Sequence, residues 1–318
     1  MELFKAASIT QALPTLDELI GALKQGYIDL SEQKYIIPTV GYLPLPNGEL
    51  HIKYGRSLAG GMTVIKIAAG SYQNHLQGLP ASSGCLLLLN SLTGIPMALL
   101  QDNGLLTDIR TAVAGALMAK ELSPQAQHIG LIGAGGQGYY QALYTCQALE
   151  LAKVYAWSRR DESLDQLASK LAVDGIELNS LPSAQEVCEV ADILITTTPA
   201  TTPYIQAQWL KQNVHINAIG ADCEGKHELA ACVLKHASLL LADSLSQCLD
   251  HGEYQYLHEA QQNKVAEFGD FLRTSQYDGK GISIADFTGT AVLDIITANM
   301  VYHKLQKNKP NIDSTEIE

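Results

Sequence analysis

Positive charge is scarce in this chain of 318 residues: 21 lysines and arginines stand against 33 aspartates and glutamates, a formal net charge of −12. That balance argues against nucleic acid or an acidic membrane surface as the main partner. Long apolar runs are lacking too. None reaches the ~18 residues of a membrane span, although 47% of the residues are hydrophobic and 17% charged, as in a soluble globule with ample core. The cysteines, at 85, 146, 188, 223, 232 and 248, show neither C-x-x-C spacing nor a paired framework. With no secretory signal visible at the N-terminus, they read as reduced, mostly buried thiols of a cytoplasmic protein. No histidine has metal-ligand spacing with acids or cysteines, so no metal site is expected. Internal repeats and low-complexity segments are absent as well.

What the chain does contain is His128-Ile-Gly-Leu-Ile-Gly-Ala-Gly-Gly-Gln-Gly138. An apolar run, Ile129 to Ile132, leads into Gly133, Ala134, Gly135, Gly136, Gln137 and Gly138, and a helix-compatible segment follows. This is G-x-G-x-x-G in the context it needs. The first glycine permits the turn, the second lets a pyrophosphate approach the backbone, and the third allows close helix–strand packing. Anionic oxygens would sit on the free N–H groups of the helix N-terminus.

The length suits two domains. Thr15-Leu-Asp-Glu18 opens a helix as a capping box, with Leu16, Leu19, Ile20, Leu23 and Tyr27 as its apolar face. Strand-like runs follow at Tyr35 to Leu43 and Glu49 to Tyr54, flanking the turn Pro46-Asn-Gly48. Further strands are predicted at Met62 to Ala68, Cys85 to Leu89 and Ile95 to Leu100, and a helix at Thr107 to Leu122. Beyond residue 126 strands near 128–132, 153–157, 192–197, 214–219 and 238–242 alternate with helical segments, which argues for a parallel sheet covered on both faces. Ala285 to Gln306 reads as an apolar helix folding back on the first domain, and the polar tail from Lys307 as unstructured. The predicted fold is α/β: a Rossmann dinucleotide-binding domain at 125–285 and a mixed α/β domain at 1–124, completed by 286–318.

In a Rossmann unit a carboxylate at the tip of the second strand usually holds the ribose 2′-hydroxyl. Here Val154-Tyr-Ala-Trp157 ends in Ser158-Arg159-Arg160, with no acid at the tip. Serine and arginine would bind a 2′-phosphate by charge-assisted hydrogen bonds. NADP(H) is therefore favoured over NAD(H), with Asp161 kept as an alternative ribose ligand.

Four stretches together carry a resemblance: Val64-Ile-Lys-Ile-Ala68 with Asn74 and Gly78-Leu-Pro80; Leu105-Leu-Thr-Asp-Ile-Arg-Thr-Ala112; Gly133-Ala-Gly-Gly-Gln137; and Asn217-Ala-Ile-Gly-Ala-Asp222 with Gly225-Lys226 and Glu228-Leu229. From about residue 15 to 300 the chain resembles the ornithine cyclodeaminase/mu-crystallin family. The family holds ornithine and lysine cyclodeaminases, an alanine dehydrogenase, ketimine reductases and Δ1-pyrroline-2-carboxylate reductases. The resemblance implies a homodimer joined through the first domain, with a small imine or amino-acid substrate. It makes Lys66 and Arg110 carboxylate binders and Asp222 the proton-transfer residue. It also places Thr288 and Gly289 near nicotinamide and substrate. Thr197 and Thr198 end another strand at the same sheet edge as Asp222 and are expected cofactor contacts, with Thr111 and Ile219 assigned to the cofactor as well. Lys66 interrupts an apolar strand pattern, where a charge needs a partner or ligand; otherwise it lies on a solvated strand face. Arg110 falls in the first turn of its helix, against the helix dipole, unless an anion or a structural partner such as Asp102 or Asp108 offsets it. Asp222 follows a strand at its carboxyl end, where ligands of open α/β sheets bind, or else caps a helix near His227.

Two departures steer the functional expectation. The cyclodeaminases carry an upstream arginine, yet none lies between Lys34 and Arg56. Where they place an acid for the substrate's second amine, this chain has His51-Ile-Lys53-Tyr-Gly55. These substrate-side differences form one departure, and Ser158 in place of the NAD-type acid is the other: an enzyme that releases ammonia regenerates NAD+ within its cycle, whereas a net reductase commonly draws on NADPH. Both point away from ornithine cyclodeaminase and towards an imine reductase acting on Δ1-pyrroline-2-carboxylate and its six-membered homologue, with Lys53 among the substrate-binding residues. Ornithine cyclodeaminase, alanine dehydrogenase, and a crystallin-like protein that only binds NADPH and small ligands, stay as alternatives.

Overall fold

A computed structural model of the chain describes residues 1–71, 73–80, 82–274 and 277–308, so the tail expectation falls mostly on residues outside that set. Two compact units emerge. The first comprises Met1–Thr15, Tyr35–Leu106 and the chain from Asp294; the second comprises Leu16–Lys34 and Thr107–Leu293.

The first unit is built on strands β1 (Glu2–Lys5), β2 (Tyr35–Ile36), β3 (Gly41–Leu45), β4 (Gly48–Ser57), β5 (Met62–Ser71), β6 (Ser82–Asn90) and β7 (Pro96–Gln101). Their order is β1-β7-β6-β5-β4-β2, with β3 on β4. The pairs are antiparallel except β1 with β7. Leu45 pairs with Gly48, leaving Pro46 and Asn47 as the expected hairpin turn. The run Tyr35 to Leu43 is broken, however, into β2 and β3. Pro38 lies in the gap, where its missing N–H costs the ladder nothing.

Along β5 the pleat sends Met62, Val64 and Lys66 inward, at 5%, 1% and 2% exposure, and leaves Ile67 exposed. Val64, Leu86, Leu88 and Leu100 pack with Ile295, Ala298, Val301 and Leu305 of the final helix, Ala291–Lys307. That helix does fold back on the first unit, but it does not begin at Ala285. A buried strand occupies Ile282–Asp286 instead. A short continuous apolar run suits a parallel strand as well as a helix, and periodicity alone cannot separate them.

The second unit carries β8 (Ile129–Ile132), β9 (Lys153–Trp157), β10 (Glu177–Ser180), β11 (Ile193–Thr196), β12 (Val214–Ala218), β13 (Ala237–Ala242), β14 (Val265–Glu267) and β15 (Ile282–Asp286). All pairings are parallel, in the order β10-β9-β8-β11-β12-β15-β13-β14. The order reverses between β8 and β11, which makes a crevice beyond their carboxyl ends the expected ligand position. The five predicted strands are β8, β9, β11, β12 and β13. β10 and β14 escaped prediction because they are short and polar or only three residues long. Ile132, Leu194, Ile216, Val233, Leu240 and Ile284 belong to the core of this unit. Among the described residues no helix is long and apolar enough to cross a membrane.

Candidate functional site

At the switch point each glycine of the central motif has a distinct job. Gly133 turns the chain at φ +110°, and a Cβ there would lie 2.5 Å from Thr197 Oγ1. Gly138 lets the helix Gly136–Leu149 close on the turn, since its Cβ would come within 2.4 Å of the Gly133 carbonyl oxygen. Gly135 is different. It precedes the helix in an extended conformation, and an added Cβ there, or at Gly136, would meet nothing within 4 Å. The protein's own packing therefore demands glycine at 133 and 138 but not at 135. That is the pattern expected where a ligand, rather than the chain, approaches the backbone.

The open space is a cavity of about 1030 Å³. Gly133, Ala134 and Gly135 form one side, Ser158, Arg159 and Arg160 another, and Thr197 to Thr202 a third. Two exposed guanidinium side chains thus stand at the strand tip with Ser158. Asp161 instead opens the helix Asp161–Val173 and is not among the lining residues. The volume, the donors and the open glycines fit a dinucleotide. Gln137 points its amide elsewhere, donating to Asp108 Oδ1 at 2.8 Å. Thr111 spends its hydroxyl on the Thr107 carbonyl (2.8 Å), and Ile219 is 6% exposed just past β12.

Three further loops at the carboxyl edge of this sheet carry candidate residues. After β11, Thr197 Oγ1 donates to the carbonyls of Ile132 and Gly133, at 3.3 Å each. Thr198 is tied to Glu228: its N–H and its hydroxyl reach Glu228 Oε1 at 2.8 and 2.6 Å. After β12 comes Asp222, whose side chain is 48% exposed and paired with Lys226 Nζ at 2.5 Å. No helix begins near His227; the next one is Ala231–His236, preceded by Ala230, so Asp222 is not a helix cap. Beyond β15, Thr288 and Gly289 are anchored by Asp243, which accepts both backbone N–H groups and, at 2.9 Å, the Thr288 hydroxyl. Burial pushes Glu228 above the ordinary carboxylate range, and pushes Glu253 and Asp286 further up, where neighbouring carboxylates add to the effect.

In the first unit Lys66 is far from a solvated strand face. It is buried, and Nζ donates to Asp294 Oδ1 at 2.8 Å, a carboxylate itself 2% exposed. Lys53 stands directly opposite Lys66 across β4 and β5, so both ammonium-bearing side chains leave the same face of the sheet. Asp102, also buried, accepts the Leu106 N–H at 2.8 Å; burial raises its pKa, backbone hydrogen bonds oppose that, and Lys66 opposes it further.

Arg110 belongs to the second unit and is 3% exposed. Its helix, Leu105–Leu122, starts two residues earlier than predicted, which moves Arg110 into the second turn and weakens the dipole argument. Three polar bonds fix this helix along one stripe. Gln137 reaches Asp108, Gln141 Nε2 reaches the Thr111 carbonyl (3.1 Å), and Asn217 Nδ2 reaches that of Gly115 (2.9 Å). Sequence reasoning missed Asp294, Asp243 and Glu253. A single acid in the first turn of a helix, or after a strand, carries no local mark of the distant group it serves.

A model of the ornithine cyclodeaminase/mu-crystallin family matches residues 3–309. An uncharacterized cyclodeaminase of Sinorhizobium fredii is 34% identical over 284 residues, 85% of each chain. A Δ1-pyrroline-2-carboxylate reductase of Bacillus cereus is 27% identical over 314 residues, 94% of this chain and 95% of that one. Among solved structures, an archaeal alanine dehydrogenase dimer with bound NAD is similar at a TM-score of 0.87 and 28% identity, over 97% of both chains.

Proposed function

The chain belongs to the ornithine cyclodeaminase/mu-crystallin family, and from that premise we propose that it reduces a cyclic imine carboxylate at the expense of NAD(P)H. The substrate we assign is Δ1-pyrroline-2-carboxylate, giving L-proline, with the six-membered Δ1-piperideine-2-carboxylate as a second one. The observation that carries this reading is the pair Lys53 and Lys66 on one face of β4 and β5. With Asp294 paired to Lys66, the second lysine on the same face still favours an anionic carboxylate over the second ammonium of a diamino acid such as ornithine.

Bound NAD(P)H would supply the hydride that adds to the imine carbon. Lys66 and Arg110 are assigned to the substrate carboxylate, and Lys53, Thr288 and Gly289 to the rest of the substrate. Asp222 handles the proton gained by the ring nitrogen as the C=N π pair moves onto it, since a protonated imine is the better hydride acceptor. Gly133 to Gly138 take the pyrophosphate. Thr197, Thr198, Thr111 and Ile219 belong to the same cofactor. Ser158, Arg159 and Arg160 recognise a 2′-phosphate, which makes NADP(H) the preferred cofactor and NAD(H) the weaker one.

The proposal takes 125–285 as the dinucleotide domain and 1–124, completed by 286–318, as the substrate and dimerisation domain. Its setting is the cytoplasm, which the six free cysteines suit. The likeness to an alanine dehydrogenase favours one second reading, reductive amination of a 2-oxo acid. Purified protein is incubated with NADPH and the imine, with NADH, pyruvate and ammonia, and with NAD+ and ornithine. NADPH oxidation by the imine alone is expected. Turnover of pyruvate selects the second reading, ammonia release from ornithine selects cyclodeamination, and binding without turnover selects a carrier. Arg159→Ala with Arg160→Ala should weaken NADPH far more than NADH; equal loss would overturn the NADP assignment.

A further inference from the structure

Glu228 is 0% exposed, and the donors that hold its carboxylate are neutral N–H and O–H groups. Its carboxylate gathers donors from loops at the sheet's carboxyl edge. Oε1 accepts from the Thr198 N–H (2.8 Å), the Thr198 hydroxyl (2.6 Å) and the Tyr204 hydroxyl (2.8 Å). Oε2 accepts from the Gly220 N–H at 3.0 Å. The Glu228 carbonyl takes the N–H groups of Tyr204 and Ile205, at 3.0 and 3.1 Å. Its own N–H is held by Glu253 Oε1 at 2.6 Å. One residue thus gathers both ends of the segment Thr198 to Tyr204, which walls the cavity, and the backbone two residues ahead of Asp222. The site tolerates no filler either: a Cβ on Gly220 would stand 2.4 Å from Glu228 Oε2.

We propose that Glu228, which does not line the cavity, is a positioning residue for the dinucleotide, its two oxygens setting the Thr198–Tyr204 wall and the Gly220 backbone in register. The inference rests on the dinucleotide reading above, and on no particular substrate. A carboxylate suits this post because it is acceptor-only at both oxygens. Glutamine has the same shape but must turn its NH₂ towards either the Thr198 donors or the Gly220 N–H. A donor then faces a donor, and the hold on one of the two loops is lost.

The test compares wild type, Glu228→Gln and Glu228→Asp by fluorescence titration with NADPH and by steady-state kinetics with the imine. Glu228→Gln should raise both Kd and KM for NADPH about tenfold or more, while KM for the imine moves less than about twofold. Glu228→Asp keeps the charge and should recover part of the lost affinity. A merely structural role would lower the folded fraction, and with it the rate per total protein, while leaving Kd and KM for NADPH at the wild-type values. That outcome overturns the proposal. Should Glu228→Gln fail to fold, Glu228→Asp is read by the same criterion: raised Kd supports the proposal and unchanged Kd overturns it. If wild type binds NADPH but ignores the imine, the substrate assignment falls and the titration still decides the role of Glu228. If wild type binds no dinucleotide, both fall.

Discussion

Asp222 is held by a lysine four residues on, at the half-exposed start of a loop that leads to no helix for eight residues. Removing its charge should therefore cost little stability, within about 0.5 kcal/mol for such a surface position. Loss of a proton-transfer group costs roughly 10²–10⁴-fold in rate. Asp222→Asn should then lower kcat by that order with KM little changed, and a drop smaller than about fivefold in stopped-flow turnover would remove it from the chemistry. Gly135 allows a cleaner separation. Its φ of −86° and the empty space around it permit a side chain without strain. Gly135→Val should keep the wild-type melting temperature and lose NADPH binding by titration; unchanged affinity would mean that the glycine turn holds no ligand. The buried pair Lys66–Asp294 behaves in the opposite way. Asp294→Ala leaves an ammonium buried and should lower the unfolding free energy by about 3–5 kcal/mol in urea titrations. Lys66→Met combined with Asp294→Leu, which removes both charges, should lose far less.

Single elements differ in how much of them the sequence displays. The turn from β8 into its helix was legible, because strand, glycine spacing and helix must occur together for the motif to work. Lys66 was legible as an anomaly, since it interrupts a two-residue apolar alternation. β15 was not: Ile282 to Ala285 looks the same as the start of the helix that follows it. Strand β12 hides a further property. His215 lies in its middle, 1% exposed, with Nε2 2.8 Å from Asn217 Oδ1 and Nδ1 3.0 Å from Ser283 Oγ. Asn217 uses its amide donor on Gly115, so its oxygen accepts from the ring and Nδ1 accepts from the serine. Burial lowers the His215 pKa to about 4, against the opposing pull of the Asn217 side chain and the Ser283 backbone. The folded pKa lies below the unfolded value, so between pH 6.5 and 4 the unfolded chain takes up a proton that the folded one refuses. Stability is unaffected above that window and falls as the pH drops through it, by roughly 3 kcal/mol in all. Urea titrations at pH 7.5, 6 and 4.5 should show a steeper loss for wild type than for His215→Gln. Parallel losses would assign the ring a different state.

At the scale of the molecule, the apolar outer face of the first unit's sheet supports the homodimer proposed above. Ile52, Ile67 and Cys85 form one cross-strand row and Tyr54, Ile65 and Leu87 the next, with Tyr54 and Ile67 at 38% and 40% exposure. Light scattering should give twice the chain mass of 34.3 kDa, and Ile67→Lys should shift the mass towards that of one chain if this face is the interface. An unshifted dimer would place the interface elsewhere. Two units were expected from length and from the change in alternation, but their interleaving was not. Leu16–Lys34 joins the second unit ahead of most of the first, and the first regains the chain only at Asp294. Nothing local marks such exchanges, because each helix is amphipathic or apolar whichever sheet it covers.

That interleaving also sets a clock. Lys66 and Asp294 lie 228 residues apart in the chain. At a synthesis rate of ~5–20 residues per second, the carboxylate is made roughly 10–45 seconds after the lysine. Through that interval the nascent sheet waits without the helix that will roof it, while the whole parallel sheet is being laid down. A chaperone that shelters exposed strands would meet its client here, and the yield of folded protein should respond to translation speed over residues 107–293 more than to any codon in the first hundred.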